Sequence, residues 1–172
     1  MKTLSTSLGL LGALVVACTS AAAQTGGNEK PTTEQTPVSG WRASCAAADR
    51  TAPLDCALEQ RAFVAQSGQL LVAVTLRVDG AERKPALMIQ TPIGLFLPAG
   101  VTMRVDDGQP ESLVVQTCDA AGCYAGTALG DTLLARMAGG RQLSVGFQDL
   151  AKRDVSVSMP LDGFAKGWKK IR

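Results

Sequence analysis

The stretch LMIQTPIGLFLPAGVTMRVDD, residues Leu87–Asp107, decides the fold. Two runs typical of β-strands, Leu87–Thr91 and Val101–Val105, flank a connection in which two prolines and two glycines exclude a continuous helix. The same connection carries the apolar run Ile93–Leu97, which needs cover from water. We therefore expect a strand, a crossing through the core and a second strand. An exposed partner-binding loop is the alternative for this run.

Outward from this stretch, short runs of alternating apolar and polar residues predict further strands. Gln69–Asp79 is apolar on both faces at its start, so we expect it to be a central strand. Asp106–Gly108 is typical of a tight turn, which is a simpler interpretation of its carboxylates than a calcium or general-acid site. The other predicted strands are Trp41–Cys45, Cys56–Gln60, Ser112–Cys118, Arg141–Gln148 and Asp154–Met159.

One short helix is predicted, beginning after Gly130 or Asp131 and ending at Gly139. The terminal segment Leu161–Arg172 also has apolar residues at roughly helical spacing, with its basic side chains on the other side. That basic face is expected to be solvated, with contact to anionic lipid or polysaccharide as the alternative. Many short strands beside one helix predict an all-β sandwich.

Composition excludes several classes of function. The 172 residues contain no histidine, so Ser-His-Asp and Cys-His catalytic arrangements and mixed Cys/His zinc sites cannot be built. The 17 basic residues nearly balance 15 acidic ones, and the seven aromatic residues provide few platforms for stacking on bases, so no nucleic-acid partner is expected. We predict no catalytic residue, no metal site and no cofactor.

The N-terminus is predicted to be an export signal. Lys2 precedes the apolar run Leu8–Ala17, and an A-x-A site at Ala21–Ala23 predicts cleavage of residues 1–23. The run is too short for a transmembrane span. The alternative is a lipoprotein signal of residues 1–17, because residues 15–18 (VVAC) are similar to a lipobox in which Cys18 carries the lipid.

Residues 24–37 (QTGGNEKPTTEQTP) have no apolar periodicity, so we expect a disordered linker. The β-sandwich domain is predicted to span residues 38–172, which is long enough to bury one core. This division leaves four cysteines in the domain whichever signal is used. An even number of cysteines in an exported chain favours disulfides.

The four cysteines fall into two pairs. Cys45 and Cys56 lie on neighbouring predicted strands joined by a short connection, and Cys118 and Cys123 enclose a four-residue loop. Two structural disulfides are therefore expected. A Cys-only metal site or a thiol-redox pair at Cys118 and Cys123 are the alternatives, and the CxxC spacing typical of both is absent from the two pairs.

An ordered series of motifs carries a family resemblance. It comprises Trp41 with Cys45 and Cys56, residues 92–100 (PIGLFLPAG), residues 105–108 (VDDG), Gly122 before Cys123, and residues 159–164 (MPLDGF). The mature chain resembles the invasion-associated locus B family of bacterial envelope proteins. The resemblance implies export to the periplasm or outer envelope of a Gram-negative bacterium, an immunoglobulin-like β-sandwich and a link by name to host-cell invasion. It provides no catalytic residues to transfer.

Three functional hypotheses follow. The preferred one is a non-enzymatic envelope protein that binds an envelope or host-surface protein, or another surface, through its loops or a free sheet edge. The second is a thiol-redox protein or other enzyme that uses Cys118 and Cys123. The third is a structural lipoprotein anchored through Cys18. Neither the ligand nor the oligomeric state follows from the sequence.

Overall fold

Two antiparallel sheets form the fold in the computed structural model, which describes residues 35–37, 40–78 and 84–172. The predicted all-β sandwich is confirmed. The strands are β1 Gln35–Pro37, β2 Arg42–Ala46, β3 Asp55–Val64, β4 Leu70–Val78, β5 Pro85–Thr91, β6 Val101–Val105, β7 Glu111–Leu113, β8 Val115–Asp119, β9 Gly122–Ala128, β10 Gln142–Gln148 and β11 Asp154–Pro160. The helices are a 3-10 turn at Leu97–Ala99, α1 Asp131–Gly139 and α2 Phe164–Ile171.

The larger sheet has the order β1-β3-β4-β5-β9-β8, and β2 shares the β3 edge with β1. Strand β4 is central and is buried on both faces over most of its length, as its sequence predicts. Its register places Leu76 between Leu58 of β3 and Leu87 of β5. All three side chains are buried, so this row forms the middle of the core on one side.

The smaller sheet has the order β11-β10-β6-β7. Its inner face presents Met103, Val145 and Val157 in one row, all buried. Helix α2 closes the core along β2 and β3, where Trp41 packs edge-on against Phe164 with ring centroids 5.0 Å apart. The Trp41 indole N–H also donates to the Pro160 carbonyl at 3.1 Å, which ties the start of the domain to its end.

The deciding stretch is a strand, a connection and a strand, as predicted. The prediction of a buried crossing is confirmed for Leu95, which is 5% exposed, and wrong for Ile93 and Leu97, which are 63% and 52% exposed. Leu95 forms an isolated β-bridge with Asp149 and faces the core. The chain then turns into the 3-10 helix, so the neighbouring apolar side chains point away from the core.

Three further expectations need correction. The fold has two α-helices where one was predicted, because the helical spacing of the terminal segment forms α2. The predicted linker 24–37 ends too late, since Gln35–Pro37 pairs with β3, and a polar, proline-containing segment can join a sheet at its edge. The single strand predicted at Ser112–Cys118 is two strands that join different sheets on either side of Val114.

Candidate functional site

The structure joins the four domain cysteines in two disulfides, Cys45 to Cys56 across β2 and β3, and Cys118 to Cys123 across β8 and β9. These are the two pairs expected from the sequence. Both lie between adjacent antiparallel strands, and they are on different parts of the larger sheet. Cys18, the predicted lipidation site, lies outside the described residues.

The surroundings of the second disulfide do not favour thiol chemistry. Cys123 is buried, and Cys118 is exposed next to Asp119. The Asp119 carboxylate accepts hydrogen bonds from the Ala121 amide at 2.8 Å and from the Tyr124 hydroxyl at 3.2 Å. The pKa of Tyr124 is raised above its ordinary value of 10.0. Partial desolvation has the largest effect, and the charge and hydrogen bond of Asp119 have smaller ones. Burial of Cys123 limits the access to its sulfur that disulfide exchange requires.

A hollow of about 690 Å³ lies on the outer face of the larger sheet beside the first disulfide. A second, of about 340 Å³, adjoins it through Arg77 and Ala86. Alanines form much of the lining, and its charged residues are Asp55, Arg77 and Lys84. In the part of the chain that the structure describes, no group of three or more His, Cys, Asp or Glu side chains is placed to hold a metal ion.

Exposed apolar side chains collect at one end of the sandwich. Strand register brings the connections 65–69, 92–100, 120–121 and 149–153 to this end, which we call the loop end. Among the described residues, five large apolar side chains are more than half exposed, and four of them lie at or beside the loop end. We call these four the apolar patch: Ile93 at 63%, Leu97 at 52%, Val114 at 80% and Leu150 at 74%.

The apolar patch is held together by contacts between two connections. The Phe96 amide donates to the Gln148 carbonyl at 2.8 Å, next to the bridge between Leu95 and Asp149. The Lys152 ammonium lies 4.8 Å from the centre of the Phe96 ring, which is a cation–π contact. Connections 92–100 and 149–153 therefore form one surface rather than two independent loops.

The surroundings of two glycines in connection 92–100 show where Leu150 and the chain at Val114 lie. A Cβ added to Gly94 would lie 3.8 Å from Leu150 Cδ1, so Leu150 leans over the backbone of connection 92–100. A Cβ added to Gly100 would lie 2.6 Å from the Leu113 carbonyl oxygen, which places the crossing at Val114 beside the 3-10 turn. Exposed apolar residues that are grouped at one end of a domain are typical of contact surfaces.

Asp149 fixes the turn that presents Leu150. Its carboxylate accepts from the Arg153 amide at 3.0 Å and from the Arg153 Nε at 2.7 Å. The hydrogen bond from the Arg153 amide lowers the pKa of Asp149 most strongly, and the Arg153 side-chain bond adds to this effect. The pKa therefore lies below its ordinary value of 3.8. The ionised side chain closes a turn in which Lys152 adopts a φ of 60°, a conformation uncommon for a residue with a side chain.

The sequence places two residues of the apolar patch, Ile93 and Leu97, in a run expected to cross the core, with a partner-binding loop as the alternative. It gives no separate prediction for Val114 or Leu150. A signal existed for Leu150, since it falls between two alternating runs, where an apolar residue has no inner face to join. Val114 stands in the run SLVVQTC, which gives no local sign that the chain changes sheets there.

Comparison with known proteins places the domain in a family. The family model described as "Invasion associated locus B (IalB) protein" matches residues 41–172. The chain belongs to the invasion associated locus B family. The resemblance drawn from its motifs is thereby confirmed, and the match contains both disulfides and the apolar patch.

Invasion associated locus B relatives agree with this assignment. The chain is 28% identical over 134 residues to an invasion protein B homologue of Brucella abortus (strain 2308), which covers 77% of this chain and 75% of the relative. A homologue from biovar 1 (strain 9-941) matches with the same identity and coverage. The crystal structure of invasion associated protein B from Bartonella henselae has a TM-score of 0.66 at 17% identity, covering 76% of this chain and 89% of that one, which shows a shared fold.

Proposed function

We propose that this member of the invasion associated locus B family is a non-enzymatic binding protein of the periplasm or outer envelope of a Gram-negative bacterium. Its loop end contacts an envelope or host-surface protein, or another surface of the envelope. The relatives are named as invasion proteins rather than as enzymes, which supports a binding role. Two disulfides between strands support export, because such bonds persist in oxidising compartments.

The apolar patch is the observation that carries this proposal. Leu97 and Leu150 keep at least half of their surface in water although a large core is available to the same domain. Their connections are tied to one another by the Phe96 amide and by the Leu95 bridge, so partner binding costs little ordering of loops. A preformed apolar surface of this kind is typical of binding sites.

Attachment through Cys18 is proposed as the means by which the protein stays in the envelope. Supporting this, VVAC at residues 15–18 is similar to a lipobox, and a polar stretch separates Cys18 from the first described strand. Among the described residues, no helix is long and apolar enough to cross a membrane. Intact-mass measurement of the mature protein tests the anchor, since a chain that starts at Gln24 removes it.

Site-specific photocrosslinking in living cells tests the binding role. A photoreactive phenylalanine analogue is placed at Ile93, Leu97 or Leu150, and the control position is Leu54, which is 54% exposed and lies in the connection before β3 at the other end. Crosslinks from the three loop-end positions and none from position 54 are expected. Equal yields at all four positions, or no crosslink to protein or lipid at any, would remove the loop end as the contact surface.

A further inference from the structure

We infer that the apolar patch docks on a lipid bilayer, with its aliphatic side chains inserted among the lipids. This inference rests on the proposed function and names the surface that the loop end contacts. The patch consists of isoleucine, leucine and valine side chains, which carry no hydrogen-bonding groups that would select a particular polar partner. Bilayer interfaces accept such side chains without requiring a complementary shape.

The chain enters the domain at the loop end. Strand β1 pairs with β3 so that Gln35 is opposite Val64, and Val64 is where β3 ends at the loop end. The chain therefore enters the domain beside connection 65–69. Under the proposed attachment through Cys18, residues 19–34 would connect the lipid to this end of the domain, and a chain of that length reaches at most about 60 Å.

The charges of the loop end fit a bilayer. Connection 92–100 contains no charged residue, and the Asp149 carboxylate is engaged by Arg153. Lys152 stands over Phe96 at the edge of the patch, where an ammonium group meets lipid headgroups when the neighbouring leucines insert. Insertion should therefore depend mainly on apolar contact and only weakly on anionic lipid.

Helix α2 is the competing surface for lipid. Its exposed face carries Lys166, Lys169 and Lys170, whereas Phe164 and Trp168 are buried in the domain. A face with exposed cations and buried apolar residues binds anionic headgroups through charge and inserts nothing. Lipid binding through α2 should therefore weaken in high salt, and a probe on α2 should stay at the headgroups. Binding through the apolar patch should depend less on salt and carry a probe among the acyl chains.

Tryptophan probes in the full mature protein distinguish the apolar patch from helix α2 as the surface that binds lipid. The variants Ile93→Trp, Leu97→Trp and Leu150→Trp report on the patch, and Leu54→Trp is the matched control of similar exposure. Each is mixed with vesicles of phosphatidylethanolamine and phosphatidylglycerol that contain brominated acyl chains. We expect quenching of the introduced loop-end tryptophan to be at least about twofold stronger than at position 54, in low and in high salt.

The following outcomes decide the inference. Stronger quenching at the loop end supports the bilayer inference, provided that additional Leu97→Ser and Leu150→Ser changes abolish this quenching. Equal quenching at position 54, or vesicle binding that needs phosphatidylglycerol and disappears in a Lys169→Gln/Lys170→Gln variant, overturns it in favour of α2. Absence of quenching together with loop-end photocrosslinks to a protein also overturns it, while the proposed function stands. Absence of both quenching and loop-end crosslinks contradicts both proposals.

Discussion

Gly167 of α2 lies directly against Leu58 of β3, so that a Cβ at position 167 would overlap the Leu58 side chain. Leu58 is completely buried in the row that also contains Leu76, and it has little freedom to move away. The glycine therefore sets how closely the terminal helix approaches the larger sheet. Close packing of this kind makes the core sensitive to a single added methyl group.

We expect Gly167→Ala to lower the free energy of unfolding by about 1–3 kcal/mol, because overpacking against Leu58 outweighs the better helix propensity of alanine. Urea denaturation of the purified domain measures the change. The matched control is Gly139→Ala at the end of α1, where nothing lies within 4 Å of an added Cβ. That variant should be unchanged or stabilised by up to about 1 kcal/mol, and similar losses in both variants would show that close packing at position 167 is not the cause.

The two disulfides should contribute unequally to stability. Cys45 and Cys56 are 11 residues apart, and Cys118 and Cys123 are 5 apart. By loop entropy, the Cys45→Ala/Cys56→Ala variant should lose about 3 kcal/mol and the Cys118→Ala/Cys123→Ala variant about 2 kcal/mol. Thermal unfolding of both variants measures this order, and the reverse order would show that local strain or packing dominates.

Thiol titration of the native protein separates structural from redox disulfides. With Cys123 and Cys56 both buried, we expect neither bond to be reduced by mild dithiothreitol before the domain unfolds. The control is the same dithiothreitol treatment in denaturant, which should release four thiols per domain. Rapid reduction of the Cys118–Cys123 bond in the folded protein would support the redox hypothesis instead.

The strands were predictable because their signal is local. Leu87 and Ile89 alternate with polar or less buried neighbours, and Gln69–Asp79 is apolar on both faces at its start, as a central strand requires. The end of α1 was predictable for the same reason, since glycines stop it. Strand β1 and the division at Val114 were not, because pairing at a sheet edge needs no side-chain pattern.

The candidate site was less predictable because contacts distant in sequence create it. Whether Ile93 faces the core or water depends on the bridge between Leu95 and Asp149, which are 54 positions apart in the chain. No window of local sequence contains both residues. Apolar composition alone therefore favours burial of Ile93 and Leu97, although both are exposed in the folded domain.

Acid should loosen the turn that presents Leu150. The pKa of Asp149 is lower in the folded protein than its ordinary 3.8, so its contribution to stability is present above that value and is lost as pH falls through the folded pKa. We expect the Arg153 amide to lose protection from exchange, relative to an unstructured amide at the same pH, below the folded pKa, as followed by NMR. An Asp149→Asn variant is the control and should show no such dependence. A carboxyl titration at or above 3.8 would contradict the assignment.

Leu95 and Ile93 provide the sharpest test of where the deciding stretch meets the core. Leu95→Asp would place a charge at a site that is 5% exposed, and we expect it to prevent folding or to cost more than about 4 kcal/mol. Ile93→Asp, two residues earlier and 63% exposed, should change the free energy of unfolding by less than about 0.5 kcal/mol.

Circular dichroism and urea denaturation of both variants check this difference. Leu95→Ala is added because an aspartate variant that fails to fold yields no free energy, and it should still fold with a loss of about 2–4 kcal/mol. If Leu95→Asp is as stable as Ile93→Asp, connection 92–100 is exposed along its whole length. The apolar patch would then be a mobile loop rather than a preformed surface, and the rigid presentation on which the binding proposal depends would be lost.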